Sequence, residues 1–179
     1  MPVQCKIILL GDGAVGKTSL ISRFVEGRFE GSYKATLGVD LFHKTIKLAN
    51  GSVTLNIWDI AGQKSFASVR SSFYQGAMGA LLVFDLTRLS SFENIPMWID
   101  DLQDSGMHKA PVILLGNKKD LKDFRVIPKE SVSEFIASSG KLADYLETSA
   151  KTGENVEEAF QLLAKLIEPI PFKITLKNE

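Results

Sequence analysis

Gly11-Asp12-Gly13-Ala14-Val15-Gly16-Lys17-Thr18 is the stretch on which the reading of this chain turns. It satisfies the P-loop pattern and stands where that pattern requires, after an apolar run over 4–10 and before a helically spaced run over 17–26. The glycines let the backbone wrap around phosphate oxygens, successive N–H groups point inward, and the helix that opens near Lys17 and Ser19 adds its positive dipole end. Lys17 is then placed to neutralise β- and γ-phosphate oxygens, and the Thr18 hydroxyl to coordinate magnesium. An ordinary glycine-rich turn accounts for the glycines but not for the lysine and threonine at this spacing.

Outward from this loop, β-branched and apolar runs recur over 4–10, 37–48, 53–59, 80–85, 112–117 and 144–148. Helical spacing fills 17–26, 66–75, 92–102, 130–139 and 156–167. The alternation predicts an α/β fold, a six-stranded, mostly parallel sheet with five helices on both faces. Only Ala49, Asn50, Gly51 and Ser52 separate the second and third runs, and Asn50-Gly51 favours a tight hairpin, so one antiparallel edge strand is expected. Residues 27–35 read as a surface loop. Pro169 and Pro171 end the last helix and leave 168–179 as a tail.

A length of 179 residues suits one domain over 1–179. The 21 Lys and Arg are balanced by 21 Asp and Glu, which removes the electrostatic basis for nonspecific nucleic-acid binding or standing attraction to anionic lipid. The lone Cys5 sits in an apolar run and reads as core. No signal-like leader and no apolar stretch near the roughly 20 residues that span a bilayer are found, so a soluble cytoplasmic protein is expected, and with it a monomer as a separate expectation. His43 and His108 lack partners at zinc-ligand spacing. Asp100-Asp101 reads as a solvated face, and Trp98 with Ile95, Ile99 and Leu102 as core packing.

Asp59 ends a strand run at the carboxyl edge of the sheet, where α/β ligands bind, and suits a magnesium-supporting carboxylate. Asn117-Lys118-Lys119-Asp120 and Thr148-Ser149-Ala150-Lys151 follow two further strands and reach the same edge. A carboxylate at Asp120 can accept from guanine N1–H and the 2-amino group, whereas adenine would leave it unpaired. Taken alone, Asn117 to Asp120 reads equally well as a solvated charged turn.

With these motifs in order over residues 5–167, the chain resembles the Ras superfamily of small GTPases. Leu37-Gly38-Val39-Asp40, Trp58-Asp59-Ile60-Ala61-Gly62-Gln63 and Tyr74-Gln75-Gly76-Ala77 look most like its Rab branch. The resemblance implies a GTPase with GTP and GDP as ligands and magnesium as cofactor. It implies that Thr36 reaches magnesium and γ-phosphate only with GTP bound, and that the Gly62 N–H touches γ-phosphate. By the same likeness Phe29 packs on the guanine, Tyr33 closes over the phosphates, and the stems of Lys118 and Lys151 flank the base. Asn117 steadies the base loop beside Ser149, the Ala150 N–H meets guanine O6, and Gln63 orients the attacking water.

No arginine is compelled by sequence to act in cis, so slow turnover raised by a partner is implied. Release of Thr36 and Gly62 on hydrolysis implies a switch read by effectors, exchange factors and GTPase-activating proteins. Ile60, Lys64 and Leu41 replace the Thr, Glu and Phe usual in Rab proteins, which bears on partner identity. The sequence ends Lys177-Asn178-Glu179 without a prenylation cysteine, so peripheral membrane attachment is expected only through a lipidated tail or adaptor supplied otherwise. Three rivals remain at this point: an ATP-using P-loop enzyme, a nucleotide-binding scaffold with negligible turnover, and a nucleic-acid module.

Overall fold

The six apolar runs join in one sheet: β1 (Val3–Leu10), β2 (Val39–Leu48), β3 (Gly51–Ile60), β4 (Gly79–Asp85), β5 (Val112–Asn117) and β6 (Asp144–Glu147). A computed structural model describes residues 3–31, 35–49 and 51–167. The strand order is β2-β3-β1-β4-β5-β6, and only the β2–β3 pair is antiparallel. The expected edge hairpin is therefore present, in register from Val39 opposite Ile60 to Leu48 opposite Gly51. Its turn residue Asn50, Tyr33 and the anticipated tail over 168–179 lie outside the described residues.

Period-2 alternation in β1 sends Cys5, Ile7 and Leu9 to one core and Ile8 and Leu10 to the other. The first core is closed by α1 (Lys17–Glu26) and α6 (Val156–Ile167), whose Phe24 and Phe160 rings stack at 4.0 Å. The second lies under α2 (Ala67–Tyr74), α4 (Ile95–Asp104) and α5 (Lys129–Ser139), around Tyr74, Trp98 and Phe84. β4 and β5 are buried along their whole length, as expected of central parallel strands covered on both faces.

One boundary differs from expectation. The helix anticipated over 92–102 is split at Asn94 into α3 (Leu89–Glu93) and α4, which together fill one place in the layer. Pro96 stands in the first turn of α4, where its missing N–H costs nothing, but its ring excludes a continuous helix through Phe92. The interruption puts Asn94 and the first turns of α4 beside the loop that follows β1.

Candidate functional site

β3 adjoins β1 on one side and β4 adjoins it on the other, so the 11–16 loop stands at the point where the winding reverses. The loops after β1, β3, β5 and β6 meet there around a cavity of about 700 Å³. Gly13, Ala14, Gly16, Lys17, Thr18 and Ser19 line one end, and Asn117, Lys118, Asp120, Ala150 and Lys151 the other. Phe29, Thr36, Gly62 and Gln63 form its sides. This volume lies in the range of small-molecule and cofactor sites.

At the first end Gly16 has φ +99, and a Cβ there would collide with the Asn117 amide. Gly62 packs against the Gly11–Gly13 backbone so closely that any side chain would displace it. Lys17 is 6 % exposed and donates to the carbonyls of Gly11 at 2.8 Å and Asp12 at 2.9 Å. Burial pushes its ammonium down from 10.5 to about 8, against the opposing pull of Asp59 and Asp12. An ammonium held in low dielectric among carbonyls is prepared to gain from an anion.

Three oxygens converge beside it. The Thr18 and Thr36 hydroxyls are 2.9 Å apart, Thr36 lies 3.3 Å from Asp59 Oδ2, and Thr18 donates to the same carboxylate oxygen. Asp59 is fully buried, its Oδ1 has no hydrogen-bond partner among the described residues, and burial pushes its carboxyl up despite the Thr18 bond and Lys17. Two hydroxyls and a carboxylate form a hard oxygen set of the kind that suits magnesium, and the orphaned Oδ1 leaves capacity for water in its outer shell. Gln63 Oε1 is likewise buried without a partner among the described residues.

At the second end Asn117 is 1 % exposed. Its Nδ2 donates to Val15 O at 2.9 Å, while its Oδ1 accepts from Thr148 Oγ1 at 3.2 Å and the Ala150 N–H at 3.4 Å. Ser149 Oγ donates to Asp120 Oδ1 at 2.7 Å, which fixes the carboxylate at the cavity wall. Lys118 adopts φ +68, and its Nζ pairs with Asp85 at 2.6 Å.

Gly11, Asp12, Val15, Asp59 and Ser149, also named from sequence, stand behind the wall rather than on it. Two surrounding readings change. Asp101 is no purely solvated residue, since it accepts from the buried Arg70 at 3.3 Å. Trp98 is core, as expected, but its indole N–H also reaches Asp12 at 2.9 Å.

Sequence reasoning missed two arginines. Arg23 of α1 donates to the carbonyls of Ala150 at 2.8 Å and Lys151 at 2.5 Å, strapping the 148–151 loop to the helix that opens at the other end of the cavity. Arg88 donates to Gly13 O at 2.7 Å. No local pattern marks either, because their partners lie 127 and 75 residues away.

The sequence model of the Ras family matches residues 6–169, nearly the whole chain. This chain belongs to the Ras family. It is similar to Ras-related protein RABA4b of Arabidopsis thaliana, 40% identical over 174 residues that cover 97% of this chain and 77% of that protein. It is also similar to Ras-related protein Rab11D of Nicotiana tabacum, at 41% over 87% of this chain and 69% of that one. Ras-related protein RABG3f of Arabidopsis thaliana matches at 43% over 89% and 80%. The Rab branch expected from the switch-region motifs is thus borne out, and with it the P-loop fold and the class of GTPase, a GTP phosphohydrolase. Among the described residues of this Ras-family chain no helix is long and apolar enough to cross a membrane.

Proposed function

We propose that this Ras-family GTPase binds GTP and GDP with magnesium, hydrolyses GTP to GDP and phosphate, and acts as a nucleotide-dependent switch in Rab-type membrane trafficking. The observation that carries the reading is one cavity with a buried lysine and hydroxyls at one end and the Asp120 carboxylate at the other. Each carboxylate oxygen has two lone pairs, so Asp120 can accept two guanine donors while Ser149 holds it. An adenine there would leave the acceptor facing a lone pair.

In this reading the backbone of 13–18 and Lys17 bind the phosphates, Phe29 and the stems of Lys118 and Lys151 enclose the base, and the Ala150 N–H turns from Asn117 to guanine O6. Tyr33 closes over the phosphates. Thr18, Thr36 and Asp59 would hold magnesium, which supplies divalent charge to the β- and γ-phosphate oxygens. Gln63 orients the attacking water by its Oε1, which has no partner among the described residues, and Lys17 offsets charge that develops on the transferred group. Thr36 and Gly62 are held only while γ-phosphate is present, so effectors, exchange factors and activating proteins distinguish the two states. Leu37 and Leu41, 79 % and 64 % exposed beside Thr36, offer such partners apolar contact. In this reading the chain acts as a single domain and a monomer.

A single-turnover phosphate-release assay tests the reading. Magnesium-dependent release from GTP and none from ATP is expected. Equal use of ATP would remove guanine specificity, and bound GTP that is never cleaved would leave a nucleotide-binding scaffold.

A further inference from the structure

A carboxylate is a costly neighbour for bound phosphate, and Asp12 lies inside the phosphate loop. Its side chain is turned away from the cavity and held by α4. Trp98 Nε1–H donates to Oδ1 at 2.9 Å, and the Asn94 amide donates to Oδ2 at 2.8 Å. Asn94, the N-cap of α4, and Trp98 stand at i and i+4, so one helical face presents both donors. The carbonyl of Asp12 accepts from Lys17 Nζ at 2.9 Å. The indole N–H thus fixes a residue whose own backbone cradles the phosphate-facing ammonium.

The ring of Trp98 has a second partner. The Arg70 guanidinium of α2 lies over it at 4.0 Å and reaches Asp101 at 3.3 Å. Arg70 is 5 % exposed, and its Nε has no partner among the described residues. A desolvated cation over an indole is held mainly by that ring and its single carboxylate. Arg70 stands one helical turn into α2, which a short 3-10 turn at Lys64–Phe66 joins to Gly62 and Gln63.

We propose that Trp98 is a positioning residue that couples the docking of α2 to the Lys17 cradle. Arg70 seats α2 on the ring, the indole N–H holds Asp12, and the Asp12 carbonyl holds Lys17. When α2 shifts with the second switch segment, Arg70 leaves the ring and the hold on Asp12 slackens. The inference rests on the GTPase reading of the cavity and adds to it how the phosphate loop senses α2. Core packing alone explains the burial of Trp98 but neither its directed N–H bond nor the cation on its face.

Trp98→Phe keeps a ring and deletes the N–H, and Asp12→Ala removes the acceptor. Each should speed GDP release by roughly tenfold, the worth of a hydrogen bond to a charged group. The double variant should be no faster than the faster single one, whereas multiplying effects would overturn the coupling. A second measurement does not depend on how those variants fold. The sequence has two tryptophans, so in a Trp58→Phe protein Trp98 is the sole emitter. Replacing GDP with a non-hydrolysable GTP analogue should shift its emission, and adding Arg70→Gln should abolish the shift. Identical emission in both nucleotide states would overturn the proposal while leaving the GTPase reading intact. Failure of the protein to bind either nucleotide would sink that reading and the inference together.

Discussion

Asn117 after β5 donates to the carbonyl of Val15 in the 11–16 loop at 2.9 Å, and this bond ties the two ends of the cavity. The same side chain accepts from Thr148 and Ala150, so one buried amide joins three loops. Asn117→Ala should therefore weaken GDP and GTP alike, by roughly tenfold or more, because it strips partners from buried groups without touching the γ-phosphate end. Titration calorimetry with both nucleotides checks this, and loss of only one affinity contradicts it.

Thr18→Asn should weaken magnesium-supported GTP binding more than GDP binding. The Thr18 hydroxyl lies between Thr36 and Asp59, where it would help hold magnesium, and that help would count most against the added charge of a γ-phosphate. An unchanged ratio of the two affinities would remove Thr18 from the metal site.

Gln63→Leu should leave nucleotide affinity near wild type and slow single-turnover hydrolysis by about a hundredfold, the range for loss of a positioned group acting on the nucleophile. The Oε1, buried and without a partner among the described residues, motivates the assignment. A wild-type hydrolysis rate in the variant would show that the water is oriented by something else.

Acid stability should depend on Glu147, which precedes the 148–151 loop. Burial pushes its carboxyl up, but the Arg125 fork, at 3.0 and 2.7 Å, with Tyr145 and Lys129, outweighs burial and holds it below 4.5. A carboxyl depressed on folding stabilises the protein above its unfolded value, and this contribution is lost as pH falls through the folded one. The stability difference between wild type and Glu147→Gln should thus be full near neutrality and shrink below 4.5. Urea unfolding as a function of pH measures it, and a difference independent of pH is the contrary result.

Much of this architecture was legible because its signals are local. The Gly11–Thr18 pattern between a strand and a helix, and the apolar run over 4–10, required no knowledge of distant neighbours. The convergence of Asp120 with Lys17 also followed, since parallel strands deliver their succeeding loops to one edge. The break at Asn94 was legible in principle from Pro96, but helical apolar spacing from Phe92 to Leu102 masked it. The Asn94 and Trp98 donors to Asp12 share a helix face that sequence spacing discloses, though not what that face meets. Arg23 and Arg88 were invisible, because their bonds to Ala150, Lys151 and Gly13 depend on tertiary placement rather than on any nearby residue type.

The central claim is that Asp120 reads guanine from one end of a cavity whose other end holds phosphate, and Asp120→Asn tests it most directly. The amide keeps one acceptor and replaces the other with a donor, which faces the 2-amino donor of guanine. Xanthine keeps N1–H and carries a carbonyl oxygen at position 2, so it matches the new amide. Loss of a charge-assisted pair and opposition of two donors should cost on the order of a few kcal/mol, enough to shift preference more than tenfold. Competition binding of GTP against xanthosine triphosphate should show the variant losing the former and gaining the latter. A variant that keeps the wild-type preference for GTP would show that Asp120 does not read the base.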